Sequence, residues 1–263
     1  MVILAYIAAI LIGVSLGLVG SGGSILAIPV LVYLLGVLPV NATAYSLFIV
    51  GITSLVGSTF YMKKELVDYK TGLIFAVPAF TAVFFTRLII LPAIPEVIFA
   101  SGNFIVSKQV FIMIVFAMLM FSAAITMIRD KREETVDSKI ELNYFFFFIQ
   151  AAIIGVLTGL VGAGGGFLII PTLVLLAKLP MKKAVGTSLF IIAINSLIGF
   201  LGDIGADTFL DWNILIVFST LAVIGIFIGS YLSKFISGSK LKPAFGWFVL
   251  GMSVYIIIKE IVK

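Results

Sequence analysis

Two glycine clusters carry the most pointed chemistry in this sequence. Gly17, Gly20, Gly22 and Gly23 fall within seven residues, and Gly159, Gly162, Gly164, Gly165 and Gly166 form a second group. A glycine inside a helix costs about 1 kcal/mol relative to alanine, so clusters this dense break a helix. In an apolar setting the break bares backbone N–H groups that hydrocarbon cannot satisfy, and they must face protein or a hydrated cavity. The helices that restart near Ser24 and Gly166 then present N-termini carrying about +0.5 charge and unbonded N–H donors. Such ends bind anions. Ser21, Gly22, Gly23 and Ser24 in the first cluster, and Gly164, Gly165 and Gly166 in the second, are therefore candidate substrate-binding positions. The competing reading is close helix packing through small residues, which suits Gly17, Gly20, Gly159 and Gly162 best.

Few other polar residues interrupt the apolar runs. Asn195 stands in mid-segment, with Thr53 at the equivalent place in the first half. An amide in hydrocarbon must find partners, either another helix or a substrate. Ser46, Thr187 and Ser188 sit about one turn into the helices that follow the clusters; their hydroxyls face either substrate or their own i−4 carbonyl. Arg87 is expected to snorkel towards headgroups, and Phe145–Phe148 to face lipid. With neither Cys nor His in the chain, thiolate or imidazole catalysis and zinc, haem or iron–sulfur ligation lose their groups. No Asp, Glu or His is expected within an apolar segment, so no catalytic acid, metal, cofactor or proton relay is expected either. The chain does not read as an enzyme.

The elements that must position these residues are membrane helices. Of 263 residues, 62% are hydrophobic and 11% charged, against about 45–50% and 25% in soluble domains, and mean hydropathy is +1.30. Ten apolar segments cover about 3–19, 24–38, 42–61, 71–91, 109–128, 143–162, 166–178, 184–201, 213–233 and 244–258. Most approach the ~20 residues that span a bilayer. The first lacks a basic flank and reads as a membrane helix, not a signal peptide. The net charge of +5 reflects loop lysines and arginines, not nucleic-acid binding.

The chain repeats itself. Residues 17–57 align without gaps on 159–199, with about half of the positions identical, including five glycines and Pro29 with Pro171. The expected organisation is a first transmembrane repeat over 1–128, a charged linker over 129–142 and a second repeat over 143–263. Loops at 62–70, 129–141, 178–183 and 234–242 hold thirteen of the seventeen positive residues. The positive-inside rule puts them in the cytoplasm and both termini outside. Equivalent loops of the two halves differ in charge, as expected if the halves are inserted upside down. The expected fold class is an all-α polytopic membrane protein with two inverted repeats of five segments, broken by glycine between segments 1 and 2 and between 6 and 7. Inverted repeats are a mark of secondary transporters. Charge counting leaves open whether the broken pairs cross fully or re-enter.

The doubled Gly-Leu-x-Gly-x-Gly-Gly-x-x-Leu-x-x-Pro, each followed by an Ala…Ser-Leu-Phe stretch, resembles the TauE/SafE sulfite exporter family, also called the 4-toluene sulfonate uptake permease family. The resemblance covers essentially the whole chain. It implies transport of sulfite or another small, mostly sulfur-containing organic anion across a prokaryotic plasma membrane. One departure is Ser24 where the second motif has Gly166. The partners implied are that anion and membrane lipid, with self-association open. An assembly protein or a carrier of another small substrate is the alternative.

Overall fold

The computed structural model describes residues 2–101, 104–129, 144–204, 210–233 and 238–261. Among them the chain forms ten helices: α1 (Val2–Val19), α2 (Ala27–Leu35), α3 (Pro39–Met62), α4 (Tyr69–Ala93), α5 (Lys108–Arg129), α6 (Tyr144–Val161), α7 (Gly166–Leu175), α8 (Met181–Asp203), α9 (Trp212–Leu232) and α10 (Gly238–Ile261). They fall on the ten apolar segments. The linker expected over 129–142 lies, from 130 onward, outside the described residues.

Among the described residues, α3, α4, α5, α8 and α9 are long and apolar enough to cross a membrane. Large apolar side chains such as Ile3, Phe145, Ile216 and Trp247 point outward, an arrangement that lipid tolerates and water does not. The protein is a multi-pass membrane protein. At 1.5 Å per residue, the nine residues of α2 and ten of α7 can reach only about halfway across a ~30 Å hydrocarbon core.

Backbone geometry at the clusters follows from glycine. α1 ends at Val19, Gly20 takes φ 74°, and a 3-10 turn over Ser21–Leu26 leads into α2. α6 ends at Val161, and Gly162, Gly164 and Gly165 take φ of 74°, 68° and 66° before α7 begins. A side chain there would strain the left-handed backbone.

Glycines also set the helix packing. α1 lies on α9 with Gly13 and Gly17 against Gly225 and Gly229; a Cβ on Gly17 would stand 2.6 Å from the Ser230 nitrogen. α6 lies on α4 in the same way, with Gly155 and Gly159 against Ala79, Val83 and Thr86. Close approach through small residues at i and i+4 replaces the hydrophobic drive that lipid removes. α5 pairs with α10, and α3 with α8. Leu47 meets Gly199, Gly51 meets Leu197, and Gly57 faces Leu189. Rising numbers on α3 oppose falling ones on α8, so these two helices run antiparallel. The middle of their contact falls next to Thr53 and Asn195.

Two aspartate caps fix where α4 and α9 start. Asp68 Oδ1 accepts from the Thr71 N–H at 2.9 Å, and Asp211 Oδ1 accepts from the Asn213 and Ile214 N–H groups. Each cap residue is also tied to the helix of the other half. The Asp68 N–H donates to Thr187 Oγ1 at 2.9 Å, and the Asp211 N–H donates to the Tyr45 hydroxyl at 2.6 Å. Tyr45 and Thr187 are equivalent positions, 142 residues apart.

Three expectations need correction. The chain is not wholly α-helical: Val97–Ser101 and Phe104–Ser107 pair as an antiparallel hairpin. Pro95 follows the end of α4, and the β-branched and aromatic residues beyond it favour strands. Phe147 does not face lipid: it is buried and packs edge-on against Phe75 at 5.3 Å, while Phe145, Phe146 and Phe148 point outward. Four consecutive helical residues span every face, so one of them must turn inward. Arg87, the third, belongs with the site.

Candidate anion site at the crossing of α3 and α8

Both helices of the crossing carry polar residues at i, i+7 and i+8, which share a face. Ser46, Thr53 and Ser54 do so on α3, and Ser188, Asn195 and Ser196 on α8; all six have no exposure. Two residues satisfy themselves: the Thr53 hydroxyl donates to the Ile49 carbonyl at 2.6 Å, and the Ser188 hydroxyl to the Val185 carbonyl at 2.8 Å. The others do not. Ser46 Oγ, Ser54 Oγ, Ser196 Oγ and both amide atoms of Asn195 are buried with no hydrogen-bond partner among the described residues. An unpartnered amide or hydroxyl costs about 1–3 kcal/mol in a protein interior, and most native groups avoid it.

The second glycine turn docks on this crossing. A Cβ on Gly164 would stand 3.0 Å from Val50 Cγ1, 3.1 Å from Ser196 Oγ and 3.2 Å from Ile192 Cγ2. Gly164 thus lies against the midpoint of α3 and α8, with the Ser196 hydroxyl beside it and the N-terminus of α7 two residues away. Neutral O–H and N–H donors beside a helix N-terminus can hold an oxyanion without a fixed counter-charge.

The other positions divide. Gly165 caps α7, with its side-chain face against Thr158, and Gly166 is the first residue of α7. Ser21 and Gly22 lie in the 3-10 turn. Ser24 is fully buried. Gly23 packs on α1: a Cβ there would collide with Ser15 Oγ and stand 2.5 Å from the Leu16 nitrogen. Thr187 is occupied by the Asp68 N–H. The structure therefore gathers Ser46, Thr53, Ser188 and Asn195 on the helices of the crossing, with Gly164 against it. It puts Gly23 and the Thr187 oxygen to structural use.

Arg87 does not snorkel. It lies in a π-turn, Thr86–Ile90, and is 1% exposed. Its Nη1 donates to Thr43 Oγ1 at 3.0 Å and pairs with Asp203 at 3.2 Å. α8 continues to Asp203 and buries it at 4% exposure. Asp203 lies two residues beyond the apolar segment 184–201, and the helix carries it into the interior. Gly202 makes the approach possible, since a Cβ there would stand 2.9 Å from that of Arg87.

The comparisons fit this architecture. The model of the sulfite exporter TauE/SafE family matches residues 5–256. The chain belongs to the TauE/SafE family. A probable membrane transporter protein of Xylella fastidiosa (strain Temecula1) is 30% identical over 254 residues, covering 94% of this chain and 91% of that protein. The probable membrane transporter protein YunE of Bacillus subtilis is 30% identical over 216 residues, covering 74% and 77%. The probable membrane transporter protein MJ0441 of Methanocaldococcus jannaschii is 27% identical over 210 residues, covering 76% and 72%. No solved structure matches the chain.

In this TauE/SafE member, three residues of interest escape a reading by segment: Ser54, Ser196 and Asp203. Ser54 and Ser196 had a signal, since both belong to the Ser-Leu pair common to the two halves. Asp203 had none, because its register with Arg87 is created by helix packing.

Proposed function

We propose that this chain is a secondary transporter, acting as an exporter, of a small anion, sulfite or an organosulfonate being the best fit, and that it works by alternating access. The observation that carries the reading is the set of unpartnered buried polar groups at Ser46, Ser54, Asn195 and Ser196 on α3 and α8, with Ser196 beside Gly164. Such a group is a liability in a purely structural membrane bundle and an asset where a substrate supplies the acceptors. The anion is held there by hydroxyl and amide donors and the N-terminus of α7, with Ser21, Gly22, Ser24 and α2 as the counterpart in the other half.

The halves 1–128 and 143–263 are inverted repeats joined by the linker 129–142. Two features support this. Equivalent helices α3 and α8 run antiparallel, and the pairs α1–α9 and α3–α9 have counterparts in α6–α4 and α8–α4 when the halves are exchanged. Rocking of one half on the other about Thr53 and Asn195 would expose the site alternately. Loop charge favours a plasma-membrane orientation with both termini outside.

The test is flux from proteoliposomes containing the full chain, loaded in turn with sulfite, thiosulfate, sulfate, ethanesulfonate and taurine. Saturable efflux of one or more, abolished by Ser196→Val with Asn195→Val, is the expected result. Efflux of none, or efflux indifferent to both substitutions, refutes the site.

A further inference from the structure

Arg87 holds donors that the site so far does not use. Its Nη1 alone is engaged, by Thr43 and by both carboxylate oxygens of Asp203 at 3.3 Å and 3.2 Å. Nε and Nη2 are buried and have no hydrogen-bond partner among the described residues. A carboxylate facing arginine commonly spans two nitrogens in parallel hydrogen bonds. Here Asp203 sits on one nitrogen, and the side edge formed by Nε and Nη2 is left over. That edge presents two parallel N–H donors, the geometry that suits a group with two acceptor oxygens.

The edge adjoins the second glycine turn. A Cβ on Gly162 would stand 2.5 Å from Nη2, and one on Gly164 would stand 3.1 Å from Ser196 Oγ. Two residues span at most about 7 Å. One short turn thus has a charged donor at its first glycine and a neutral donor at its second. The first turn differs. Gly20, the equivalent of Gly162, meets Val185 and Ile170 instead, and Val185 is the equivalent of Thr43. Among the described residues, the Arg87 guanidinium lies against the second turn and apolar side chains against the equivalent glycine of the first. Placing it in a π-turn is in keeping with the frequent use of such turns at functional sites.

We infer that the Nε–Nη2 edge of Arg87 is the charge-recognition element for the transported anion, taking two oxygens of a sulfite- or sulfonate-type group side-on beside Gly162. Asp203 is a positioning residue: it holds the guanidinium by Nη1 and, as a neighbouring negative charge, weakens the grip on the anion so that it can leave. A spherical anion offers one acceptor and gains less from the two-donor edge. This inference rests on the transporter reading above.

The test uses the full chain in proteoliposomes with sulfite, ethanesulfonate and chloride as probes, and melting temperature in detergent with and without each. In the wild type, sulfite and ethanesulfonate raise the melting temperature and chloride does not. Arg87→Lys keeps the charge and loses the fork, raising KM about 10- to 100-fold with a smaller change in the maximal rate. Asp203→Asn lowers KM. The pair Arg87→Gln with Asp203→Asn replaces an ion pair by two amides that can bond each other, so the protein stays folded but loses both sulfite flux and the sulfite-induced shift. Wild-type KM in that double variant overturns the inference and makes the ion pair structural. Were the wild type to carry none of the probes yet show a sulfite-induced shift that the double variant loses, the transport reading would fail and the anion edge would stand. Absence of any shift in the wild type refutes the edge.

Discussion

Asn195→Val should stabilise the protein and stop transport. Asn195 has no exposure, and neither amide atom has a hydrogen-bond partner among the described residues. Removing the amide relieves the burial of an unpaired polar group, about 1–3 kcal/mol by protein mutational data. Valine is of similar size, so overpacking stays small. At about 2–4 °C per kcal/mol for a chain of this size, the melting temperature should rise by several degrees. The control is built into the repeat. Thr53 stands at the equivalent position, and its hydroxyl is already satisfied by the Ile49 carbonyl; Thr53→Val is isosteric and should change stability by less than about 1 kcal/mol. The assay is thermal unfolding followed by the fluorescence of Trp212 and Trp247, paired with sulfite efflux from proteoliposomes. A gain in stability with loss of flux marks a residue kept for function at a cost in stability. A drop in melting temperature in Asn195→Val would mean that the amide holds the crossing together, and the reasoning would be wrong.

Because the chain has no native cysteine, single cysteines report topology cleanly. Those replacing the exposed Lys64 and Lys182 should react with an impermeant maleimide only from the cytoplasm, and one replacing the exposed Leu38 only from outside; labelling of Lys64→Cys and Lys182→Cys from opposite sides would rule out inverted halves. Gly165→Ala puts a Cβ into Thr158 Oγ1 at a φ of 66° and should cost about 1–2 kcal/mol from backbone strain alone. Adding Thr158→Ala should recover the steric part in a melting experiment but not the strain. The driving force is tested with a potassium–valinomycin potential and no ion gradient otherwise. An inside-negative potential should drive efflux of a monoanion, worth about 2.3 kcal/mol per 100 mV. Since Asp203 is a buried carboxylate, efflux that ignores voltage and follows a pH gradient, with that dependence lost in Asp203→Asn, would make the carrier proton-coupled.

The helices and the glycine turns were legible in the sequence because their causes are local. A run of apolar residues must be buried or face lipid wherever it lies, and Gly162, Gly164 and Gly165 take positive φ because few other residues can. Asp68 and Asp211 cap α4 and α9 from within one turn. The duplication was legible for a similar reason, since it needs only comparison of the chain with itself. Long-range partnership was not. Arg87 and Asp203 are 116 residues apart, and nothing local tells a snorkelling arginine from a paired one. Only the approach of α4 to Gly202 at the end of α8 buries both. Thr53 and Asn195 look alike as polar residues in mid-helix, yet one reaches its own helix carbonyl and the other meets no acceptor or donor among the described residues. Which polar groups stay unpaired is set by the faces that the antiparallel α3 and α8 turn towards each other, and helix packing across distant segments alone decides that.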